Sequence, residues 1–110
     1  MIRKSEIKAY VRKLAQEFKP ERVILFGSYA RGQPTEDSDV DLLVVTNYQG
    51  DWLDKAVEMR LRIPRKFPLD LVVRKPSDIR RRLALKDSFM STIIKEGQVL
   101  YERGAQRVAG

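Results

Sequence analysis

The first eighteen residues carry apolar side chains at Ile7, Tyr10, Val11, Leu14, Ala15 and Phe18, the spacing of one stripe along an amphipathic helix. Ser5 is placed to cap it and Pro20 to end it. Arg22 to Phe26 then reads as a short strand stopped by Gly27, with Ser28 to Arg31 forming one helical turn before Gly32-Gln33-Pro34 breaks it. Val40 to Thr46 is apolar on both faces after Asp41, the pattern of a strand central in a sheet.

Asp51 can cap a helix that carries Leu53, Ala56, Val57 and Leu61 and halts at Pro64. Leu69 to Arg74 is a third strand. Pro76-Ser77-Asp78 opens a helix through Leu83, and a further set with Phe89, Ile93 and Ile94 closes at Gly97, a residue suited to a C′ position. Gln98 to Glu102 is a last short strand. The alternation predicts a single small α/β domain over 1–103, a mixed sheet of about four strands with helices packed on it, followed by a flexible tail over 104–110.

Composition narrows the chemistry. A chain of 110 residues makes one domain, and 34% charged against 43% hydrophobic residues is a globular profile with an ionised surface. Twenty-two Lys and Arg against 15 Asp and Glu give +7, which suits an anionic partner or serves only solvation. Cysteine and histidine are absent, so thiol chemistry, imidazole bases and soft-metal sites are excluded. Any metal must be a hard cation on oxygen ligands. The N-terminus lacks the apolar core of a signal peptide, and no apolar run approaches a bilayer's span, so a cytoplasmic protein without membrane attachment is expected.

Against that background, the stretch GSYARGQPTEDSDVDLLVV, residues 27 to 45, places two acids one residue apart where a buried strand begins. Alternate strand residues share a face, so Asp39 and Asp41 project together, about 6.6 Å apart along the backbone. They can converge on cations, or form a polar strand entrance with Asp39 in the turn and Asp41 toward water. Asp70 in FPLDLVV is a third strand acid, which joins the pair if the second and third strands are close, and is otherwise an edge-strand acid. Three carboxylates on one face would match a magnesium site. Gly27 and Ser28 follow a strand and offer backbone N–H groups and a hydroxyl to a phosphate, or simply make a capped turn. This is not a P-loop, because Gln33-Pro34 stands where Lys-Ser/Thr is needed. Arg31 could clamp a phosphate or decorate the surface.

Together, Gly27-Ser28-x-Ala30-Arg31-Gly32-x₅-Ser38-Asp39-x-Asp41-Leu42 resembles the signature of the DNA polymerase beta-like nucleotidyltransferase superfamily, and the short chain resembles its minimal branch. The resemblance implies a nucleotidyltransferase fold and transfer of a nucleoside monophosphate, AMP from ATP before other nucleotides, to a hydroxyl. It implies that Gly27 and Ser28, with Arg31 as a further candidate, bind the nucleotide. It further implies that Asp39 and Asp41 carry two Mg²⁺ ions (or Mn²⁺), and that Asp70 completes one shell and helps deprotonate the acceptor. Minimal members are often encoded beside a small helical HEPN-type partner and can act there as antitoxins that add AMP to it, so a partner protein is expected as acceptor. The rival expectation is a noncatalytic nucleotide-binding or antitoxin subunit acting by complex formation. An RNA-binding role is compatible with the charge, but no RNA-binding aromatic motif supports it.

Overall fold

The computed structural model describes residues 1–104; the expected tail lies outside the described residues apart from Gly104. Eight elements follow in the order α1 (Lys4–Phe18), β1 (Arg22–Phe26), β2 (Val40–Val45), α2 (Trp52–Arg62), β3 (Leu69–Arg74), α3 (Pro76–Ala84), α4 (Ser88–Glu96) and β4 (Gln98–Glu102). The strands form one mixed sheet in the order β3-β2-β1-β4. β1 pairs antiparallel with β2 and β4, while β2 and β3 run parallel, joined through α2. This is the mixed four-strand α/β architecture that the hydrophobic pattern predicts, with β2 central.

Each face of the sheet buries its own cluster. Val23, Leu25, Leu42, Val44, Leu71 and Val73 pack against α1 and α2 through Ile7, Leu14, Ala56 and Met59. The alternate strand positions, Ile24, Leu43, Val45 and Val72, pack against Ile79 of α3 and Met90 and Ile93 of α4. Burying a side chain of this size contributes about 1.5–3 kcal/mol, so both faces of β2 are strongly held.

The α1 stripe is buried as its spacing implies, with Phe18 partly covered at the end. Its start differs from the sequence expectation. The Arg3 carbonyl accepts from the amides of Glu6 and Ile7, so the helix begins at Lys4 and Ser5 is exposed in the first turn, not its cap. Lys19, in the left-handed region, ends the helix before Pro20. Asp51 does cap α2, accepting from the Leu53 amide at 3.1 Å.

The buried face of α2 is a second departure. Ala56 and Met59 face the core, whereas Leu53, Val57 and Leu61 are 52%, 52% and 78% exposed. Two apolar stripes run along this helix, and the sheet accepts the one ending in Met59 and Ile63. On α4, Met90 and Ile93 are buried while Phe89 and Ile94 are partly exposed to solvent. Gly97 ends α4 with an extended backbone, not the left-handed C′ form expected. It is small because a Cβ there would collide with the Ile93 carbonyl and the Ile24 side chain.

Candidate functional site

The parallel register of β2 and β3 sets Asp41 directly beside Asp70, and the amide of Val40 donates to the Pro68 carbonyl at 2.9 Å, fixing that register at the strand starts. Cross-strand partners share a face, so Asp41 and Asp70 both project to the α3/α4 side, and Asp39, two residues before Asp41, is near enough to repel it. Asp39 itself lies in the loop just ahead of β2 and is exposed, as is Asp70. The loop is closed by a turn in which Ser38 Oγ accepts from the Thr35 amide at 2.8 Å and the Ser38 amide donates to the Thr35 carbonyl at 3.1 Å. Ser38, not Asp39, is therefore the turn former.

Asp41 is half-buried, and its carboxyl is pushed up to about 6. Loss of hydration is the first cause, followed by repulsion from Asp70 and Asp39, with Arg31 acting in the opposite direction. Asp70 and Asp39 thus both act electrostatically on Asp41. Even so, no three acidic side chains among the described residues already form a cluster that could hold an ion. The backbone brings the carboxylates to one face, and side-chain rotation would have to bring them onto a common cation. Their chemistry fits a hard divalent ion: oxygen donors only, with a desolvated, mutually repelled carboxylate that a cation would relieve.

Gly27 ties the glycine-rich segment to these acids. Its φ is +74°, and a Cβ would collide with Oδ2 of Asp41. The positive φ favours glycine, and any Cβ would displace the Asp41 carboxylate from where it now rests. Residues 28 to 32 form hydrogen-bonded turns and no regular helix, as the amides of Ala30 and Arg31 both donate to the Gly27 carbonyl at 3.1 Å. Among the described residues the amides of Ser28 and Tyr29 donate to no protein acceptor, leaving two N–H groups and the Ser28 hydroxyl on the turn whose glycine packs on Asp41. Such a nest suits a phosphate.

Two supports of this segment were not legible in the sequence. Gln98 on β4 donates to the Ala30 carbonyl at 2.8 Å and accepts from Lys4 Nζ, while Tyr29 Oη accepts from the Ile2 amide at 3.1 Å. These contacts join positions 27 to 94 residues apart, which no local pattern reveals. Arg31 is exposed and lies 3.9 Å from Glu96, so its guanidinium is on the rim, near enough to influence Asp41.

Residues 6–106 match the family model described as "Polymerase beta, Nucleotidyltransferase". A Methanocaldococcus jannaschii protein named "Putative protein adenylyltransferase" is 31% identical over 97 residues, covering 86% of this chain and 94% of its own. A crystal structure described as a "putative nucleotidyltransferase from Sulfolobus solfataricus" superposes with a TM-score of 0.63 at 25% identity, covering 90% and 79% of the two chains. Two more distant structures share the fold: a toxin–antitoxin complex with AMP-PNP (TM-score 0.57, 20% identity, 93% and 78% covered) and a tri-AMPylated Shewanella oneidensis HEPN toxin with its MNT antitoxin (0.50, 17%, 93% and 75%).

Proposed function

The chain belongs to the polymerase beta nucleotidyltransferase family, and from that premise we propose that it transfers AMP from ATP to a hydroxyl of a small helical partner protein, in the manner of an antitoxin. The observation that carries the reading is the union of two parts at one strand end: the Asp41–Asp70 register pair, and a turn with two unbonded amides whose glycine packs on Asp41. The adenylyltransferase name of the Methanocaldococcus relative supports AMP as the group moved. The HEPN toxin in complex with an MNT antitoxin supports the class of partner. A cytoplasmic site of action fits a reaction that draws on ATP.

In this reading Ser28 and the amides of residues 28 and 29 hold the β- and γ-phosphates, and Arg31 closes over them from the rim. Asp39 and Asp41 would hold two divalent ions, Mg²⁺ or Mn²⁺, with Asp70 completing one shell. Bound there, the ions would neutralise the triphosphate and lower the pKa of the acceptor hydroxyl. The acceptor oxygen forms a bond to the α-phosphorus, the bond from that phosphorus to the bridging oxygen breaks, and pyrophosphate leaves. Asp70, on the exposed edge strand, takes the acceptor's proton. Most of the rate enhancement comes from position and charge, since the sheet fixes Asp41 and Asp70 before substrate arrives.

A second reading, a noncatalytic nucleotide-binding or antitoxin subunit, has one observation in its favour: the acids do not yet form a three-residue cluster. Calorimetry separates the two. The catalytic reading predicts that Asp39→Asn weakens ATP binding in Mg²⁺ strongly and leaves binding in EDTA, where any is measurable, little changed. Equal ATP affinity for parent and variant in Mg²⁺ would remove the metal assignment and leave the subunit reading.

A further inference from the structure

Phe89 stands half in water on the first turn of α4, 50% exposed, while its neighbours Met90 and Ile93 are buried. Exposure alone distinguishes nothing, since Leu61 and Leu85 are more exposed. Among the large apolar side chains exposed in the described residues, however, Phe89 is the one aromatic ring. Its location is also particular. The ring meets Phe26 edge to face, with centroids 6.0 Å apart and planes at 87°. Phe26 is the register partner of Asp41 and directly precedes Gly27. Cross-strand partners share a face, so Phe26 stands beside Asp41 and the Phe89 ring lies one side chain further along the same side of the sheet.

A nucleotide's ribose holds its base apart from its phosphates, so a base reaches past the side chain that neighbours the acids. A nucleotide with its phosphates at Gly27 and Ser28 has two directions for its base: out into solvent, or along the α3/α4 face toward Phe89. Aromatic stacking favours the second, because a half-hydrated ring gains a partner when a base covers it. Phe26 packs against the cluster beneath α3 and α4 and braces Phe89 from its buried side, so little ordering remains to be done on binding.

We propose that Phe89, braced by Phe26, is the platform on which the base of the bound nucleoside triphosphate stacks. This rests on the nucleotide reading above and adds the base subsite to it. A phenyl ring has no hydrogen-bonding group, so the platform favours the larger purine faces over pyrimidines without separating adenine from guanine.

The test is calorimetric titration of Mg-ATP and of inorganic tripolyphosphate with Mg²⁺ into the parent and into Phe89→Ala, Phe89→Leu and Phe89→Trp. Phe89→Leu keeps an apolar contact on Phe26 and guards against a folding defect in the alanine variant. Stacking predicts that Ala and Leu each weaken ATP roughly 5- to 150-fold and leave tripolyphosphate within two-fold, and that Trp restores ATP affinity. Equal losses for both ligands, or unchanged ATP affinity in Ala and Leu, overturn the platform. Unchanged ATP affinity with diminished transfer would set the ring against the acceptor instead, and also overturns it. If Asp41→Asn abolishes Mg-ATP binding while the Phe89 variants retain it, only the platform falls; if the parent binds neither ligand, the nucleotide reading falls with it.

Discussion

Replacing Asp41 with asparagine should stabilise the metal-free protein while disabling it. The carboxyl rises from 3.8 to about 6 because folding strips part of its hydration and sets it beside Asp70 and Asp39, with Arg31 giving partial relief. At full strength such a rise corresponds to about 3 kcal/mol of preference for the protonated form. Part of the group stays in contact with water, so solvent screening reduces the working figure to about 1–2 kcal/mol. The sign follows from proton binding: between pH 4 and 6 the folded state holds a proton that the unfolded chain has released. Stability is therefore intact below the unfolded value and is lost as pH rises through about 6. Asparagine has the shape of the acid and never ionises. In EDTA, Asp41→Asn should be more stable than the parent by about 1–2 kcal/mol near pH 8, and the gap should close near pH 4. Urea denaturation at the two pH values measures it. A gap of opposite sign, or one independent of pH, would refute the reasoning. Adding Mg-ATP should reverse the order near pH 8, because only the parent gains stability from the ligand.

Gly27→Ala forces a Cβ into Asp41 Oδ2 at a positive φ; it should cost more than about 1 kcal/mol in urea denaturation and abolish Mg-ATP binding in calorimetry. Asp70→Asn should bind Mg-ATP within a few-fold of the parent and yet slow transfer by about 10²–10⁴, since the edge-strand acid serves the acceptor more than the triphosphate; single-turnover rates check this. The two stripes of α2 should respond oppositely: Leu61→Glu should change stability by less than about 0.5 kcal/mol, and Met59→Ala should cost about 2–5 kcal/mol, both read by denaturation.

The strands were legible because short apolar runs bounded by Gly27, Pro68 and Lys75 leave few alternatives, and α1 because its stripe is unambiguous. The face of α2 was not, for a physical reason: Leu53-Val57-Leu61 and Ala56-Met59-Ile63 both satisfy helical periodicity, and only the shape of the sheet selects between them. In the site, although Asp39 stands in the loop ahead of β2 and not on the strand, its nearness to Asp41 follows from their spacing. The pairing of Asp41 with Asp70 does not, because it depends on how the chain crosses back through α2 into a parallel register. The packing of Gly27 on Asp41 and the brace from Gln98 to Ala30 are likewise tertiary facts. The sequence pattern offered the parts, and the topology supplies their order.

AMP transfer carried by the strand-end acids is tested most simply by intact-mass analysis of a small helical HEPN-type protein, the class proposed as acceptor, after incubation with the chain, ATP and Mg²⁺, alongside Asp39→Asn, Asp41→Asn and an EDTA control. A mass increase of one or more AMP groups on that protein, located at a hydroxyl side chain, is expected with the parent alone in Mg²⁺. An unmodified partner that nonetheless forms a stable complex with the chain, or equal modification by the parent and both asparagine variants, would contradict it.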